Sequence, residues 1–397
     1  MMLKNYFLFI LITLLVGGCS IPGFQKDETH PISLPKVENK ITPKEKWNQN
    51  IGSGNRNFYT NLHPAYKNNI VYAADRFGIV KAFNVITGKE KWKIDLSEKQ
   101  DFLSNNSALL SGGITVDENN IYIGSERGIL YSLKINDGSI AWKTKLIGEI
   151  LSSPVVHNDL IFVHTSNGFL QGVDRKNGKI NWNFELSNYP LSIREGTKPS
   201  IMLDSLIIGD SKGRINAISI KNNQILWRKY ISDINTNSLV DQQIQDINIS
   251  PVIFKGVIYV SSYNGNISAL EFASGDILWQ RNIGSNIKKL IVNNSFIYIV
   301  DVKDRLFSLS VNSGKIIWSQ ENLIYRQLTS PIIYKNYLVV ADMQGYLHWI
   351  NTEDGQFVAQ QKLGLAGFQS EPIVAVNNNN KELLIQNNNG KIYAVVI

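Results

Sequence analysis

The chain has one cysteine in 397 residues, Cys19. No disulfide can form within it, and cysteine-built zinc sites and C-x-x-C redox chemistry are excluded. Histidine is nearly as scarce: His30, His63, His157, His164 and His348 show no H-E-x-x-H or comparable metal spacing. No glycine-rich phosphate loop and no calcium loop is present. Charge is sparse too. Forty basic and 33 acidic residues leave +7, and the basic ones are scattered along turns and strand positions. A nucleic-acid footprint would need them clustered on one face, so no nucleic acid is implied. Helical periodicity is missing, and the one long apolar run, Tyr6 to Val16, is too short to span a bilayer.

That run has a purpose of its own. Lys4 precedes it, and Val16-Gly17-Gly18-Cys19 follows. A positive start, an apolar middle and small residues before a cleavage point describe a secretory signal over residues 1–18. Its ending matches the bacterial lipobox, in which the cysteine is freed and acylated, so Cys19 is the expected lipidation site. Several acyl chains at about 0.8 kcal/mol per buried methylene anchor firmly. Ser20, rather than Asp, in the next position favours the outer membrane by the bacterial sorting rule. Removing Lys4 with the signal leaves 39 basic and 33 acidic residues, +6. Residues 19–43 hold four prolines and mixed charge, a poor core former, and are expected to be a lipidated tether. At about 3.3 Å per residue that tether reaches roughly 80 Å.

From Gly78 onward one phrase recurs. It reads GIVKAFNVITGKEKW, then GILYSLKINDGSIAW from Gly128 and GFLQGVDRKNGKINW from Gly168. Further copies start at Gly213, Gly265, Asp304, Gly345 and, truncated, Gly390, with spacings of 50, 40, 45, 52, 39, 41 and 45 residues. A period in the forties without helical pattern predicts a β-propeller. Each phrase is a strand, a Gly- or Asn-bearing turn and a second strand. A further hairpin precedes it, so four antiparallel strands make one blade. Pro64, Pro154, Pro199, Pro251 and Pro331 stand fourteen residues before the leading residue, where the first strand should begin. The eighth copy lacks its last strand. Pro43-Lys44-Glu45-Lys46-Trp47 supplies a matching one, so the fold class is all-β, an eight-bladed propeller over 44–397 closed by its N-terminal strand. Closure removes open sheet edges within the ring.

The tryptophan ending each phrase reads as a wedge between blades. The position four after the leading residue is small in seven copies (Ala82, Ser132, Gly172, Ala217, Ala269, Ser308, Ala394) and suits crowding at the axis or between blades. Blade 7 breaks both rules, with Trp349 at the small position and Ala359 in place of the tryptophan. A wider gap there, and a seam that is looser or filled from elsewhere, are the expectations.

Catalysis finds little support. Gly209-Asp210-Ser211-Lys212-Gly213 matches G-x-S-x-G, but it falls on a β-hairpin, where the strand-to-helix elbow that exposes a nucleophile is absent. His157 and His164 lie on two arms of one hairpin and are expected to be ordinary surface or core histidines. The connections Ser97–Gly113, Leu186–Lys198 and Tyr230–Ile249 are long. The last two join successive blades and should be neighbours. Both mix apolar residues with charge, as in Leu191-Ser192-Ile193-Arg194-Glu195 and Gln245-Asp246-Ile247-Asn248. They suit either a binding site presented by loops or simple packing on one another.

The repeat resembles the quinoprotein-type propeller repeat. The chain as a whole resembles the BamB family, lipoprotein subunits of the outer-membrane β-barrel assembly machinery. The stretches Pro190–Ser200, Ser261–Arg281 and Leu328–Ile373 carry the resemblance most specifically. It implies an eight-bladed propeller without catalysis or cofactor. That protein would sit on the periplasmic face of the outer membrane of a Gram-negative cell, bind the POTRA region of the barrel-forming subunit BamA, and assist nascent outer-membrane proteins. The family's Leu-Ser-Leu-Arg interface motif matches Leu191-Ser192-Ile193-Arg194. Its Asp-x-Asp pair matches Asp246-Ile247-Asn248, with Asn248 lacking one carboxylate. Leu191, Ile193, Arg194, Asp246 and Asn248 are thus the implied partner-binding residues. A quinone-dependent dehydrogenase would resemble other members of the repeat class, yet those use a carboxylate-held calcium and often a vicinal cysteine pair. A carbohydrate-binding propeller is a third reading, with only surface aromatics behind it.

Overall fold

The computed structural model describes residues 30–56, 58–101, 104–186, 196–231, 247, 249–262, 266–283, 290–293, 295–377 and 380–397. Among them there is no helix. Strands form eight four-stranded antiparallel sheets and one short hairpin, Glu98–Asp101 with Ser104–Asn106. Seven blades run in chain order from Ala65. The eighth takes Ile373–Asn377, Asn380–Gln386 and Lys391–Val396, and its fourth strand is Lys44–Asn50. Lys44 pairs with Val396, Trp47 with Ala394 and Asn50 with Lys391, so the ring closes as the repeat predicts. The prolines stand one residue before the first strand of their blades: Pro64 precedes Ala65–Lys67 and Pro154 precedes Val155–His157.

Antiparallel order gives the ring two faces. Turns between second and third strands, and the connections between blades, lie on one, the connection face. First-to-second and third-to-fourth turns lie on the other, the hairpin face.

The core sits between blades, and the repeated phrase explains how. Each small residue pairs across strands with its tryptophan: Ala82 with Trp92, Ser132 with Trp142, Gly172 with Trp182. A Cβ on Gly172 would lie 2.7 Å from that of Trp182. The small residue therefore makes room for an indole on the neighbouring strand of its own blade. The indole then reaches the next blade. Nε1 of Trp47, Trp92, Trp142, Trp182, Trp227, Trp279 and Trp318 each donates to a carbonyl at the next blade's third-to-fourth turn, at 2.7–3.1 Å. In six of these seams the glycine of that turn lies beneath the ring, and in blade 4 Asn223 takes the positive-φ position. Gly88 has φ +71° and an added Cβ would meet Trp47 at 2.8 Å, so conformation and space both demand glycine. Directly before every one of these tryptophans the register slips by one residue, a β-bulge that aims the indole sideways. Burying one such ring is worth a few kcal/mol.

Blade 7 is an inversion, with no gap opened. Trp349 pairs with Ala359, so large and small have exchanged strands. Trp349 is fully buried and packs edge-on against Tyr334, 5.5 Å between centroids, beside Leu383, Ile385 and Tyr393 of blade 8. The carbonyl that corresponds to the indole acceptors of the other seams is Ile397 O, which accepts from Lys335 Nζ at 2.9 Å.

The space beside Ala359 is filled from the N-terminal side. Ile41 packs into that cluster. Residues 32–42, which the sequence reading gives to the tether, run down the outside of blade 7. Ile32 N–H donates to Ile324 O at 3.2 Å, and Arg326 Nη1 donates to Ile32 O at 3.1 Å on the connection face. Toward the hairpin face, Lys40 N–H donates to Val358 O at 2.8 Å. Asn39 uses its amide like a strand residue, accepting from Gln360 N–H at 2.9 Å and donating to Gln360 O at 3.2 Å.

Candidate partner-binding face

The connection face carries the binding candidates, and its turns are built rigidly. Asp75 ends a second strand, and its Oδ1 accepts from the N–H groups of Phe77, Gly78 and Ile79 at 2.9–3.0 Å. Asp210, Asp301, Asp342 and Asn387 cap the equivalent turns. A short acceptor at this slot satisfies turn N–H groups that would otherwise be buried unpaired. Three of these carboxylates also hold an arginine: Asp210 with Arg214 at 2.7 Å, Asp301 with Arg305 at 2.5 Å and Asp342 with Arg326 at 2.7 Å. Arg76 binds Glu126 of the next blade through two parallel bonds, 3.0 and 2.8 Å, and covers Phe58 at 4.3 Å. Removing one partner of such a buried pair costs far more than the pair contributes.

The two long connections leave and re-enter this face at fixed points. Leu186 is buried and donates to Gly168 O at 2.7 Å; Ile231 is buried and donates to Gly213 O at 3.0 Å. On the return side Lys198 N–H donates to Ser250 Oγ at 3.0 Å, tying the end of one connection to the end of the other. Their ends are therefore neighbours, as the sequence requires. Ile247 is buried against Gly209, where an added Cβ would approach Ile247 Cγ2 to 2.3 Å. The middle of the Asp-x-Asn segment thus serves as an anchor in the core. Leu191, Ile193, Arg194, Asp246 and Asn248 lie outside the described residues.

The histidines go separate ways. His157 Nε2 meets Asp204 Oδ1 of blade 4 at 2.6 Å on the hairpin face. His164, at the other end of its hairpin, turns Nδ1 onto Thr197 O at 3.1 Å. Burial drives its pKa down to about 4, against the pull of the Thr197 carbonyl and Asp210. Asp342 holds Arg326 and His348 Nε2, the latter at 2.9 Å. Burial by itself would raise the Asp342 carboxyl, but bonds from His348, Tyr346 N–H and Arg326 outweigh it and hold the pKa low. His348 is fully buried, and desolvation pushes it below its ordinary value despite Asp342.

Ser211 sits in the turn between Ser205–Gly209 and Arg214–Ser219, a β-hairpin as expected. Among the described residues no three His, Cys, Asp or Glu side chains group as metal ligands would. An open groove of about 410 Å³, lined by Ile41, Thr42, Lys335, Asn336, Tyr337 and Ile397, lies toward the hairpin face, away from the long connections. The connection face itself exposes Phe58, Tyr59, Ile147 and Leu365, apolar groups that suit a protein partner. The capping acceptors were missed by sequence reasoning, although D-R-F-G, D-S-K-G, D-V-K-D and D-M-Q-G recur at one slot of the repeat.

Comparison with known proteins agrees with this architecture. The family pattern described as outer membrane protein assembly factor BamB matches residues 76–320. The chain is similar to that factor from Yersinia pestis, 43% identical over 396 residues covering 99% of each. It is 43% identical to the Escherichia coli K12 factor over 386 residues, 97% of each. Among solved structures it is similar to BamB from Moraxella catarrhalis, with a TM-score of 0.76, 21% identity, and 90% and 100% of the two chains covered. The quinohemoprotein alcohol dehydrogenase of Comamonas testosteroni aligns with a TM-score of 0.72 at 12% identity over 89% of this chain and 76% of that one, a likeness of fold alone.

Proposed function

The chain belongs to the outer membrane protein assembly factor BamB family, and from that membership we propose that it is a non-catalytic scaffold for assembling β-barrel proteins into the outer membrane. In this reading residues 1–18 are a cleaved signal, and Cys19 is acylated and holds the propeller at the periplasmic side of that membrane. The two long connections between blades 3, 4 and 5 dock on the POTRA region of the barrel-forming subunit BamA. Leu191 and Ile193 supply apolar contact, Arg194 the anchor, and Asp246 and Asn248 the acceptors. Arginine suits that role, because its planar fork gives directional bonds and its stem adds packing.

The observation that carries the docking reading is the bond from Lys198 to Ser250. It holds the ends of two separately inserted segments together on a face whose turns are capped and ion-paired. The described ends of both segments therefore have little freedom to lose when a partner binds. A photo-reactive residue at position 194 in intact cells tests the reading. Capture of the barrel-forming subunit supports it; capture of other proteins alone, or full affinity of Arg194→Ala for the isolated POTRA domains, overturns it.

A further inference from the structure

The residue inserted at each bulge lies on the outermost strand, with its backbone at the open edge of the sheet. An open edge is a template for another extended chain, and proteins blunt it with charge, polarity or cover. Three blades follow that rule, with an exposed Lys46, Lys91 or Asn181 as the inserted residue. Blade 2 has only the small Ala141 there, and in blades 2 and 3 the inserted residue follows an exposed isoleucine, Ile140 or Ile180. In blade 7 it is Val358, only 7% exposed because the strand-like segment around Asn39–Ile41 lies over it. Blades 4, 5 and 6 depart. Their inserted residues are Leu226, Leu278 and Ile317, at 56, 56 and 47% exposure, and each follows a second exposed aliphatic, Ile225, Ile277 or Ile316. Three successive blades thus present an apolar belt along edges that have no strand partner among the described residues.

Blade 7 shows what such an edge takes. One backbone N–H reaches the inserted residue's carbonyl, an amide pairs with both backbone groups two residues on, and an aliphatic side chain packs alongside. The same backbone positions recur at Leu226 and Arg228, Leu278 and Gln280, and Ile317 and Ser319. Lys229 and Asp276, paired at 2.8 Å, bridge blades 4 and 5 within the belt.

From this internal example we infer that the outer edges of blades 4 to 6 are a second binding site, for extended peptides with alternating apolar and polar residues, held by strand addition. Equating that peptide with an unfolded barrel strand rests on the assembly role proposed above; the edge site does not. It is separate from the long connections, since it occupies the rim toward the hairpin face.

The test uses the full chain and a synthetic peptide of alternating valine and threonine bearing a photo-reactive phenylalanine. Cross-links should fall within residues 224–230, 277–282 and 316–320. The triple variant Leu226→Lys, Leu278→Lys, Ile317→Lys changes only exposed side chains and should cut cross-linking at least fivefold while leaving POTRA binding unchanged. A proline-substituted peptide should lose cross-linking as well, because it cannot donate to the edge. Cross-links elsewhere, or an unaltered yield with the triple variant or the proline peptide, would overturn the proposal. So would sedimentation showing that these edges are buried in a dimer that the triple variant disperses. Loss of POTRA binding on Arg194→Ala with peptide cross-linking retained separates the two sites.

Discussion

Replacing tryptophan with phenylalanine should cost very different amounts at two seams of this ring. Trp182 donates to Ile220 O at 3.1 Å and is 9% exposed. Trp349 is fully buried, and its Nε1 has no acceptor among the described residues. Both substitutions remove roughly 40 Å³ of side chain, about 1 kcal/mol at ~24 cal/mol per Å³ of cavity. At position 182 the change also strands a carbonyl, which adds about 1–3 kcal/mol. At position 349 it deletes an unsatisfied donor and returns a similar amount. Trp182→Phe should therefore destabilise by about 2–4 kcal/mol, whereas Trp349→Phe should be neutral within about 1 kcal/mol or mildly stabilising. Equilibrium urea unfolding of both variants, with slopes matching the parent, measures the difference. Equal losses would refute the role given to the indole N–H, and a larger loss at 349 would refute the inversion as its explanation.

Arg194→Ala should weaken binding to the isolated POTRA domains by about 2 kcal/mol without altering the melt; calorimetric titration measures it. Cys19→Ala should yield a folded protein in the soluble periplasmic fraction, and its retention in membranes would remove the lipid anchor. Deleting Lys44–Trp47 takes the fourth strand and its indole from blade 8 and should lower the melting temperature; an unchanged melt would mean that another segment closes the ring. His164 has a folded pKa near 4 against an ordinary 6.5, so the unfolded chain takes up the proton first. Its contribution is complete above pH 6.5 and fades as pH falls toward 4, by ~2 kcal/mol after allowance for the residue's partial exposure. Stability of His164→Asn measured across that window should lose the corresponding slope.

The blade count, the closing strand and the wedge role of tryptophan were legible because each depends on local chemistry repeated at a fixed interval. Glycine at a positive φ, an indole opposite a small residue and a turn of fixed length leave the same letters every time. What the repeat could not display was compensation between unlike positions. Trp349 and Ala359 looked like two separate defects, and only their pairing across strands makes them one exchange. The cover over blade 7 was invisible for a related reason. Asn39 and Lys40 act through an amide and a backbone N–H, groups that proline-rich, charged composition does not reveal. The two long connections were readable as insertions, and Lys198 and Ser250 join their ends, but the interface residues themselves rest on family likeness.

The ladder from Lys44 to Val396 joins segments made at opposite ends of synthesis. A chain is synthesised N-terminus first, so the earlier strand must wait, unpaired, until the later one arrives. Closure at so great a sequence separation comes late and slowly. Seven sheets can stack beforehand on purely sequential neighbours, leaving a single gate for the end. A chaperone acting on this polypeptide would thus have one stretch to shield, and a truncation near Ile392 would leave an open crescent instead of a disc.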